Sequence, residues 1–416
     1  MNVLVFGQGG REAAIIRALN VSPSVTEVHV VQGCAALEKQ ALCHSVDYKD
    51  TEKVYELIER HNITFAVIGP EQPLADGLSD QLRKKIPVFG PSQFAAQLES
   101  SKCFSKEFMN KFNVSTAKYY VVTTVEETLA AAENFQPPYV LKADGLAAGK
   151  GVFICRDLDE LQTSAEKLFV HKVFGTAGSK ALLEEYQQGW ELSYIILTNG
   201  KDYRALPLTQ DHKRLKDKDE GPNTGGMGVV GPLSIDEHLN EQIIKDVIEP
   251  TLNGLVQDKF DYRGALYIGL MMTENGPSVI EYNVRFGDPE AQVIIPLVDN
   301  DWGAIMYEIA LGELPDIKQK KLHVACVVLA SEGYPHSPVK GVPILGDTFN
   351  ETSSGYFLHA GTDNKEGEWV TNGGRVINAL GIGSSLPEAV RNAYAQADKL
   401  SWHGLQKRSD IGKNLL

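Results

Sequence analysis

The residues best suited to chemistry lie in one segment, PSVIEYNVRFGDPE, which runs from Pro277 to Glu290. Its pattern predicts a β-strand, in which successive side chains point to opposite faces. One face carries apolar residues suited to a core, namely Ile280, Tyr282, Val284 and Phe286. The other face carries Glu281, Asn283 and Arg285, which present a carboxylate, a carboxamide and a guanidinium in one row.

This polar row predicts a divalent-cation site beside an anion site. Mg²⁺ prefers oxygen ligands and usually takes one or two carboxylates, with water and substrate phosphates completing its shell. Glu281 and Asn283 are therefore the candidate metal ligands. The guanidinium of Arg285 is placed to bind a phosphoryl or carboxylate group through two hydrogen bonds. The alternative is a half-exposed edge strand with a surface ion pair, which a second motif disfavours.

That second motif is YVLKADGLAAGKGV, residues 139–152, in which Lys142 ends an apolar strand and a glycine-rich loop follows. The loop residues expected to surround phosphate are Gly145, Gly149, Lys150 and Gly151. Glycine lets backbone N–H groups approach phosphate oxygens closely, and lysine supplies positive charge. The spacing is not that of a Walker A loop, which has four residues between its glycines and Ser or Thr after the lysine. A flexible hairpin with solvated lysines is the alternative.

A further segment carries polar groups that suit a nucleotide. In ALLEEYQQGWELSYI, residues 181–195, a strand ends in paired acids and a turn leads to a third acid. Backbone groups near Glu185 and Tyr186 are placed to pair with an adenine edge, and Glu191 to accept from ribose hydroxyls. The alternative for this segment is a solvated hinge.

A mixed-charge run, DHKRLKDKDE, precedes a glycine-rich segment, GPNTGGMG, at residues 221–228. Most of the run is expected to be a solvated loop, although Asp211, His212 and Lys213 are placed to face the same site. The glycine-rich segment is unusual unless its backbone passes close to another group. Its candidate substrate-binding residues are Gly225, Gly226 and Met227.

Two loops near the N-terminus predict a second anion site. GQGG precedes a helix, so Gly9 and Gly10 offer amides at the positive end of the helix dipole, with Arg11 adding charge. The glycine spacing does not fit a dinucleotide fingerprint, which weakens the alternative of a nicotinamide oxidoreductase. GPEQPLADG, residues 69–77, is a strand-end loop where ligands gather in α/β sheets, and it contributes Glu71 and Pro73.

Length and composition predict a globular chain of two to four domains: 416 residues, 43% hydrophobic and 23% charged. A net charge of −14 disfavours binding to nucleic acid. The five scattered cysteines form no C-x-x-C pair and H-E-x-x-H does not occur, so neither a disulfide framework nor a zinc motif is indicated. The cytoplasm is the expected location, and no segment reads as a signal peptide or membrane helix.

Strand and helix patterns predict an α/β and α+β multidomain chain. Residues 2 to about 100 alternate short apolar strands with helices, which indicates βαβ units and a parallel sheet. We expect an N-terminal domain at 1–101, a central domain at 102–325 with a smaller α+β unit at about 120–190, and a C-terminal α+β domain at 326–416. The last domain ends in the helix LPEAVRNAYAQADKL.

The order of these motifs resembles the ATP-grasp ligases, and within them the phosphoribosylamine–glycine ligase family. The matching motifs cover nearly the whole chain in that family's order: GQGGRE, GPEQPLADG, FGPS, LESSK, LKADGLAAGKGV, DHKR, GPNTGGMG, EYNVRFGDPE, VVLASEGYP, HAGT and TNGGRV. The resemblance implies a Rossmann-like N-terminal domain, an ATP-grasp central domain with a mobile lid, and a small C-terminal domain. It also implies purine biosynthesis as the setting.

The resemblance assigns roles to residues by their motifs. Lys102 and Lys142 are expected at the ATP phosphates under the lid loop, with Glu184, Glu185 and Tyr186 at the adenine and Glu191 at the ribose. Glu281 and Asn283 are expected to bind Mg²⁺ or Mn²⁺, with Arg285 near the transferring phosphate and glycine. Gly9, Gly10 and the 69–77 loop are expected to receive phosphoribosylamine.

Three features depart from the family pattern. Ala13 stands where the first motif usually has histidine, and Trp190 stands where the hinge usually has a second acid. The strand before Glu281 reads LYIGLMM and lacks the additional metal-binding acid of many ATP-grasp enzymes. Chemistry with two metal ions would therefore rest on fewer protein ligands than usual.

The implied reaction is ATP-dependent ligation of glycine to 5-phosphoribosylamine through glycyl phosphate, giving glycinamide ribonucleotide, ADP and phosphate. Asp211 and Asp288 are the candidate acceptors of the amine proton. We expect a monomer or a weak homodimer that binds neither nucleic acid nor membrane. The alternatives are another ATP-grasp carboxylate–amine ligase, a biotin carboxylase, or a non-catalytic nucleotide-binding regulator.

Overall fold

The protein is described by a computed structural model that covers residues 1–147 and 151–413. The N-terminal elements are β1 (Asn2–Phe6), α1 (Gly10–Asn20), β2 (Glu27–Val31), β3 (Leu42–His44), α2 (Thr51–Arg60), β4 (Ile63–Ile68), α3 (Glu71–Ala75), α4 (Leu78–Leu82), β5 (Val88–Phe89) and α5 (Gln93–Ser100). The strands form a parallel sheet in the order β3-β2-β1-β4-β5. The parallel sheet predicted for this region is confirmed.

A smaller unit follows. Its elements are α6 (Lys102–Lys111), β6 (Tyr119–Val122), α7 (Val125–Ala132), β7 (Tyr139–Ala143), β8 (Val152–Cys155), α8 (Leu158–Phe169) and β9 (Ala181–Glu185). The strands form an antiparallel sheet in the order β6-β9-β7-β8, with α7 and α8 packed against a separate apolar cluster that includes Leu141, Leu161 and Leu183. We call the part of this unit from β6 to β9 the lid, so α6 is not included in it, and the expected bounds of about 120–190 remain a prediction.

The remaining elements build two more sheets. They are β10 (Trp190–Thr198), β11 (Tyr203–Ala205), β12 (Gln210–Asp211), β13 (Arg214–Lys216), β14 (Glu220–Asn223), β15 (Gly228–Gly231), α9 (Glu237–Ile243), α10 (Glu249–Gln257), β16 (Gly264–Thr273), β17 (Gly276–Asn283), α11 (Glu290–Leu297), α12 (Trp302–Ala310), β18 (His323–Ala330), β19 (Gly355–His359), β20 (Thr362–Lys365), β21 (Glu368–Thr371), β22 (Arg375–Gly383) and α13 (Leu386–Ala397). A π-helical turn, Ile244–Ile248, joins α9 to α10.

The central sheet has the order β11-β10-β16-β17, and the C-terminal sheet has the order β12-β15-β18-β22-β19. Strands β12 and β15 precede residue 326 but pair within the C-terminal sheet, since Gly228–Gly231 run antiparallel to β18. The domain boundary at residue 326 therefore remains a prediction. In space, residues 210–231 attach the glycine-rich segment to the C-terminal sheet.

The strand that carries the polar row is shorter and less regular than the sequence suggested. β17 ends at Asn283, and its pairing with β16 shifts by one residue between Val279 and Glu281. This bulge turns Ile280 toward the cavity described below, so the prediction that Ile280 belongs to the core was wrong. Tyr282 is buried as expected.

The mixed-charge run forms more structure than a solvated loop. Strands β13 and β14 pair antiparallel, and Lys218 and Asp219 at the turn adopt positive φ values of 60° and 55°. Arg408, which is almost fully buried, donates to Asp219 and to Asp410. The run is therefore held to the C-terminal region by ion pairs.

Close packing of α13 against β22 predicts a specific sensitivity at Gly381. A Cβ there would overlap the backbone of Ala389 and Ala393, which cannot move independently of the helix. Overpacking of this kind costs about 1–3 kcal/mol or more. We expect Gly381→Ala to lower the thermal melting temperature measured by calorimetry.

The matched control is Gly178→Ala, where a Cβ would make ordinary contacts at 3.6–3.7 Å. The free energy of unfolding of this variant should stay within about 0.5 kcal/mol of the parent value. Equal melting temperatures for the two variants would contradict the packing of α13 on β22.

Candidate active site

A cavity of about 440 Å³ lies between the lid, the N-terminal sheet and the central sheet. The predicted residues that line it are Arg11, Glu71, Lys102, Lys142, Gly151, Glu184, Glu191, Gly225, Glu281, Asn283, Arg285 and Asp288. Asp211 lines a smaller adjoining cavity of about 40 Å³, which shares Glu191 and Glu281 with the larger one. The fold therefore brings widely separated motifs to one place.

Lys142 connects the lid to the polar row. It lies on β7, is 6% exposed, and its Nζ donates to the backbone oxygen of Ile280 at 3.4 Å. The same Nζ lies 2.8 Å from Glu184 Oε2 on the neighbouring strand β9. Because Ile280 precedes Glu281 directly, the lysine of the phosphate motif lies beside the candidate metal ligands.

Glu184 is the anionic centre of a buried charge cluster. Lys106 Nζ, on α6, lies 3.4 Å from Glu184 Oε1 and also donates to Thr116 Oγ1 at 2.7 Å. Although burial opposes ionisation, Lys142 and Lys106 together lower the pKa of Glu184. Burial, with Lys142 nearby, lowers the pKa of Lys106 to about 8 despite the attraction of Glu184.

Asp144 sets the position of Lys102. It directly follows β7, and its Oδ1 accepts from the Cys103 amide at 2.7 Å and from the Ser101 hydroxyl at 3.0 Å. Ser101 is also the N-cap of α6, where its hydroxyl accepts from the Phe104 amide. A carboxylate at a helix N-terminus is favourable, so the contact stabilises the first turn that carries Lys102 into the cavity.

The candidate metal ligands fit a divalent cation. Within the described residues, the Glu281 carboxylate has neither a hydrogen-bond partner nor an ion-pair partner, and it faces the cavity. Asn283 Oδ1 faces the same space, with Arg285 Nη2 at 3.5 Å. An unpaired carboxylate beside an amide oxygen is a donor set suited to Mg²⁺ or Mn²⁺.

Two carboxylates from the N-terminal domain hold Arg285. Its Nη2 donates to Glu99 Oε1 at 2.7 Å, and its Nε lies 3.4 Å from Glu71 Oε2. Glu99 also accepts from the Val284 amide at 2.8 Å, directly after β17 ends. Burial opposes the charge of Arg285, yet these acids raise its pKa above the ordinary value. Arg285 is therefore a fixed cation.

Asp288 belongs to a network that reaches the C-terminal domain. Arg375 donates to the backbone oxygens of Asp288 and Gly225, each at 2.6 Å, and its Nη2 lies 3.3 Å from Asp288 Oδ1. Burial raises the pKa of Asp288, but Arg375 and Arg11 outweigh it, so the net shift is downward. An acid with a lowered pKa is a weak proton acceptor near neutral pH.

The pKa of Asp211 shifts in the opposite direction from that of Asp288. Burial raises its pKa to about 7, against the attraction of Lys213, whose Nζ lies 2.5 Å away. Lys213 also lies 3.5 Å from Glu290 Oε1, and although burial opposes its charge, the two acids raise the pKa of Lys213. Of the two candidate bases, Asp211 therefore has the pKa closer to neutrality.

At Gly226, the backbone of the glycine-rich segment packs closely against other residues of the chain. This residue has φ +114°, and a Cβ there would lie 2.6 Å from Pro289 and 2.7 Å from Asp211. Gly225 lines the cavity, and its amide donates to the Tyr334 hydroxyl at 2.9 Å. Met227 instead packs into an apolar cluster with Leu215 and is fully buried, so its side chain does not face the cavity.

Other predicted residues are not among those that line the cavity. The Gly9 amide donates to Glu12 Oε2 at 2.6 Å, and a Cβ on Gly10 would meet Gln292 and Asn378. The remaining residues outside the lining are Pro73, Gly145, Glu185 and Tyr186. Gly149 and Lys150 lie outside the described residues. Their roles in binding remain predictions.

Two of the three departures from the family pattern are single residues, and they have different surroundings. Ala13 is fully buried in α1 within the main apolar cluster, and a bulkier side chain would have to displace that packing. Trp190 begins β10, pairs with Met272 and is 43% exposed. Neither residue lines the cavity.

Sequence reasoning missed four charged residues at the cavity: Glu99, Lys106, Glu290 and Arg375. Glu99 lies within LESSK on α5, Lys106 follows that motif on α6, and each is less than 9% exposed. The sequence pattern that could have identified both residues is a charged side chain on the buried face of an amphipathic helix, because a buried charge usually requires a partner. Glu290 and Arg375 belong to quoted motifs, but their side-chain directions depend on the tertiary fold.

The pKa of Lys106 predicts a pH dependence of nucleotide binding. Below about 8 the ammonium is charged and favours a polyanion, and above that value binding must take up a proton. We expect the dissociation constant for ATP with Mg²⁺, measured calorimetrically, to rise by up to about tenfold per pH unit above pH 8.

Lys106→Arg tests the assignment, because a guanidinium stays charged and should flatten this dependence. The matched control is Lys111→Arg on the same helix, where the side chain is 59% exposed. An ATP affinity that is flat from pH 7 to 9 in the unmodified protein would contradict the role of Lys106.

Family models match the chain along nearly its whole length. The N domain of phosphoribosylglycinamide synthetase matches residues 1–99, the ATP-grasp (A) domain 100–291 and the C domain 324–414. A phosphoribosylamine–glycine ligase from Vibrio cholerae is 39% identical over 99% of this chain and 98% of its own length. One from Rhizobium meliloti is 40% identical, over 99% of this chain and 98% of its own.

Solved structures agree with this relationship. The crystal structure of phosphoribosylamine–glycine ligase from Thermotoga maritima has a TM-score of 0.88 and 36% identity, covering 99% of this chain and 100% of its own. A biotin carboxylase domain from Hydrogenobacter thermophilus has a TM-score of 0.74 at 19% identity, covering 98% of this chain and 91% of its own, and shares the fold. The family models and the sequence identity over nearly the whole chain show that this chain belongs to the phosphoribosylamine–glycine ligase family, whose central domain is an ATP-grasp domain.

Proposed function

We propose that the cavity binds ATP with Mg²⁺ or Mn²⁺ and joins glycine to 5-phosphoribosylamine, with release of ADP and phosphate. Membership of the phosphoribosylamine–glycine ligase family supports the overall reaction. The observation that carries the proposal is the contact of Lys142 with the backbone beside Glu281, at 3.4 Å. It joins the phosphate motif of the lid to the candidate metal ligands of β17.

The chemistry requires activation of the glycine carboxylate, because a carboxylate oxygen is a poor leaving group. Transfer of the ATP γ-phosphoryl group to glycine gives glycyl phosphate and ADP. The amine of phosphoribosylamine then attacks the acyl carbon, and phosphate leaves. Such transfers depend on positioning and charge stabilisation, and no covalent bond to the enzyme is needed.

Lysines in the cavity provide the phosphate contacts in this proposal. Lys102, Lys106 and Lys142 all line it, and Glu184 holds two of them in place. We therefore assign Glu184 the role of positioning these lysines, while Glu185 and Tyr186 at the end of β9 remain the proposed adenine contacts. Glu191, on the cavity wall, remains the proposed ribose contact.

Glu281 and Asn283 are proposed to hold the metal ion, whose charge would neutralise part of the triphosphate. Arg285 is held beside them by Glu99 and Glu71, so its remaining surface is available to the phosphoryl group or to glycine. The glycine-rich loop from Gly145 to Gly151 is proposed to close over the phosphates. Closure would exclude water, which matters because acyl phosphates hydrolyse readily.

Phosphoribosylamine is proposed to lie at the side of the cavity formed by Arg11, Glu71 and Gly225. Arg11 donates to Glu12 at 2.6 Å and to the Phe286 oxygen at 3.2 Å, so it is fixed near Arg285. Asp211, whose pKa is about 7, is the better candidate to accept the amine proton. Asp288 is better suited to holding Arg375.

Oligomeric state and location stay predictions, as a monomer or weak homodimer in the cytoplasm. The cysteines are all unpaired, which fits a reducing compartment. None of the helices in the described part of the chain has the length and hydrophobicity that a bilayer crossing requires.

The reaction itself is tested by substrate dependence. We expect ADP release only when ATP, a divalent cation, glycine and phosphoribosylamine are all present, with glycinamide ribonucleotide formed in equal amount. A related carboxylate–amine ligase would respond to a different acid, and a nucleotide-binding regulator would bind ATP without turnover. Bicarbonate-dependent ADP release would indicate the biotin carboxylase alternative.

The metal assignment is tested by Glu281→Gln, which keeps the size of the side chain but removes its charge. Loss of one electrostatic contact to the transferring group typically lowers kcat by about 10²–10³. We expect a loss of at least that size in the ADP assay, with the melting temperature little changed. Lys142→Met should be similarly inactive.

The matched control is Glu274→Gln, in the exposed turn of the same β16–β17 hairpin. It should retain the turnover of the parent protein. Near-normal turnover in Glu281→Gln would overturn the proposed metal site while leaving the family membership intact.

A further inference from the structure

Three histidines converge in the N-terminal domain, away from the residues that line the cavity. They are His29, His44 and His61, and one ring nitrogen of each lies within 4.8 Å of the others. His29 is fully buried, whereas His44 and His61 are half-buried. One side chain of the cluster is therefore buried, and solvent can reach the other two.

The fold, not local spacing, produces this convergence. His29 lies in β2 and His44 in the parallel strand β3, and the register pairs His29 with Leu42 and Val31 with His44. Because residues two apart share a face, the two histidines lie on the same side of the sheet. His61 follows α2 immediately and supplies the third ring from the connection to β4.

The ring nitrogens of His29 and His44 are almost as far apart as two nitrogen ligands of one metal ion. His29 Nδ1 and His44 Nε2 are 3.0 Å apart, so a single proton lies between them. Two nitrogens bound to one Zn²⁺ at about 2.0–2.1 Å, at a tetrahedral angle, are about 3.3 Å apart. This pair would have to widen by a few tenths of an ångström to hold a metal ion, and the three ring nitrogens, which lie within 4.8 Å of one another, would have to close to about that separation.

The imidazole donors of the cluster also suit a particular class of metal. Neutral imidazole is the form that binds zinc, copper and nickel, whereas Mg²⁺ prefers oxygen.

One buried ring nitrogen in the cluster lies near a carboxylate. Within the described residues, His29 Nε2 is buried and makes no hydrogen bond. The Glu27 carboxylate lies 3.4 Å from it, on the same strand and face. A carboxylate that orients a ligating histidine is a common outer-sphere arrangement in metal sites. Ring stacking alone, with centroids 4.7–5.3 Å apart, would require none of these polar features.

We propose that His29, His44 and His61 form a Zn²⁺ site separate from the catalytic cavity, with water as the fourth ligand. The ion ties β2, β3 and the α2–β4 connection together, so its role is structural stabilisation of the N-terminal domain. Glu27 acts in the outer sphere by orienting His29. Three protein ligands from three elements make the site dependent on the folded domain.

The test measures zinc and Co²⁺ binding to the full-length protein in the presence of excess Mg²⁺ and ADP, which occupy the catalytic site. We expect one equivalent of Zn²⁺, a rise in melting temperature with zinc, and visible absorption bands of tetrahedral Co²⁺. His44→Gln and His61→Gln should each weaken binding by more than the roughly 10- to 100-fold typical of losing an outer-sphere partner. Glu27→Gln should fall within that range.

His403→Gln is the matched control, because this histidine is 90% exposed and lies outside the cluster. It should bind zinc like the parent protein, and all four variants should keep the parent's ADP-forming activity. Unchanged zinc affinity in His44→Gln and His61→Gln, or equal loss in His403→Gln, would overturn the proposal.

A measurement on the unmodified protein covers the case in which the variants fail to fold. Cu²⁺ bound at this site should show electron paramagnetic resonance splitting from imidazole nitrogens, and the histidine ring signals should shift on addition of Zn²⁺. Absence of nitrogen coupling, or no zinc bound at micromolar concentration, would contradict the site.

Discussion

The candidate active site depends on one buried carboxylate held between two ammonium groups. Glu184 is 3% exposed, and Lys142 and Lys106 approach its two oxygens at 2.8 and 3.4 Å. Burial of a charge is costly without a partner, and removing one partner from such a cluster typically costs 3–5 kcal/mol. Because Lys142 and Glu184 are on the lid sheet and Lys106 is on α6, the same interaction fixes the lid against the rest of the cavity.

A second constraint connects distant parts of the chain. Strands β12 and β15 pair within the C-terminal sheet, and Arg375 of that sheet binds the backbone of both Gly225 and Asp288. The glycine-rich segment and the end of the polar row are thus held by the same guanidinium. In this way the C-terminal domain contributes to a cavity whose proposed phosphate-binding groups come from the lid and the central domain.

Electrostatics separate the acids of the cavity into different roles. Glu281 has no cationic partner among the described residues and is free to bind a metal ion, whereas Glu99 and Glu71 hold Arg285. Burial raises the pKa of Asp211 to about 7, while Arg375 and Arg11 keep Asp288 ionised. Environment, and not residue type, decides which acid binds a cation and which is suited to proton transfer.

Sequence alone determined the family, the parallel N-terminal sheet, the strand YVLKA and the polar row, because glycine-rich motifs and period-two alternation are local properties. Only the tertiary structure decided which charges meet. The bulge at Ile280, the partners of Lys106 and Glu99, and the entry of Arg375 into the cavity depend on packing between residues far apart in the chain. The cluster of His29, His44 and His61 shows the same limit: no zinc spacing motif exists, since strand pairing and a helix end bring the rings together.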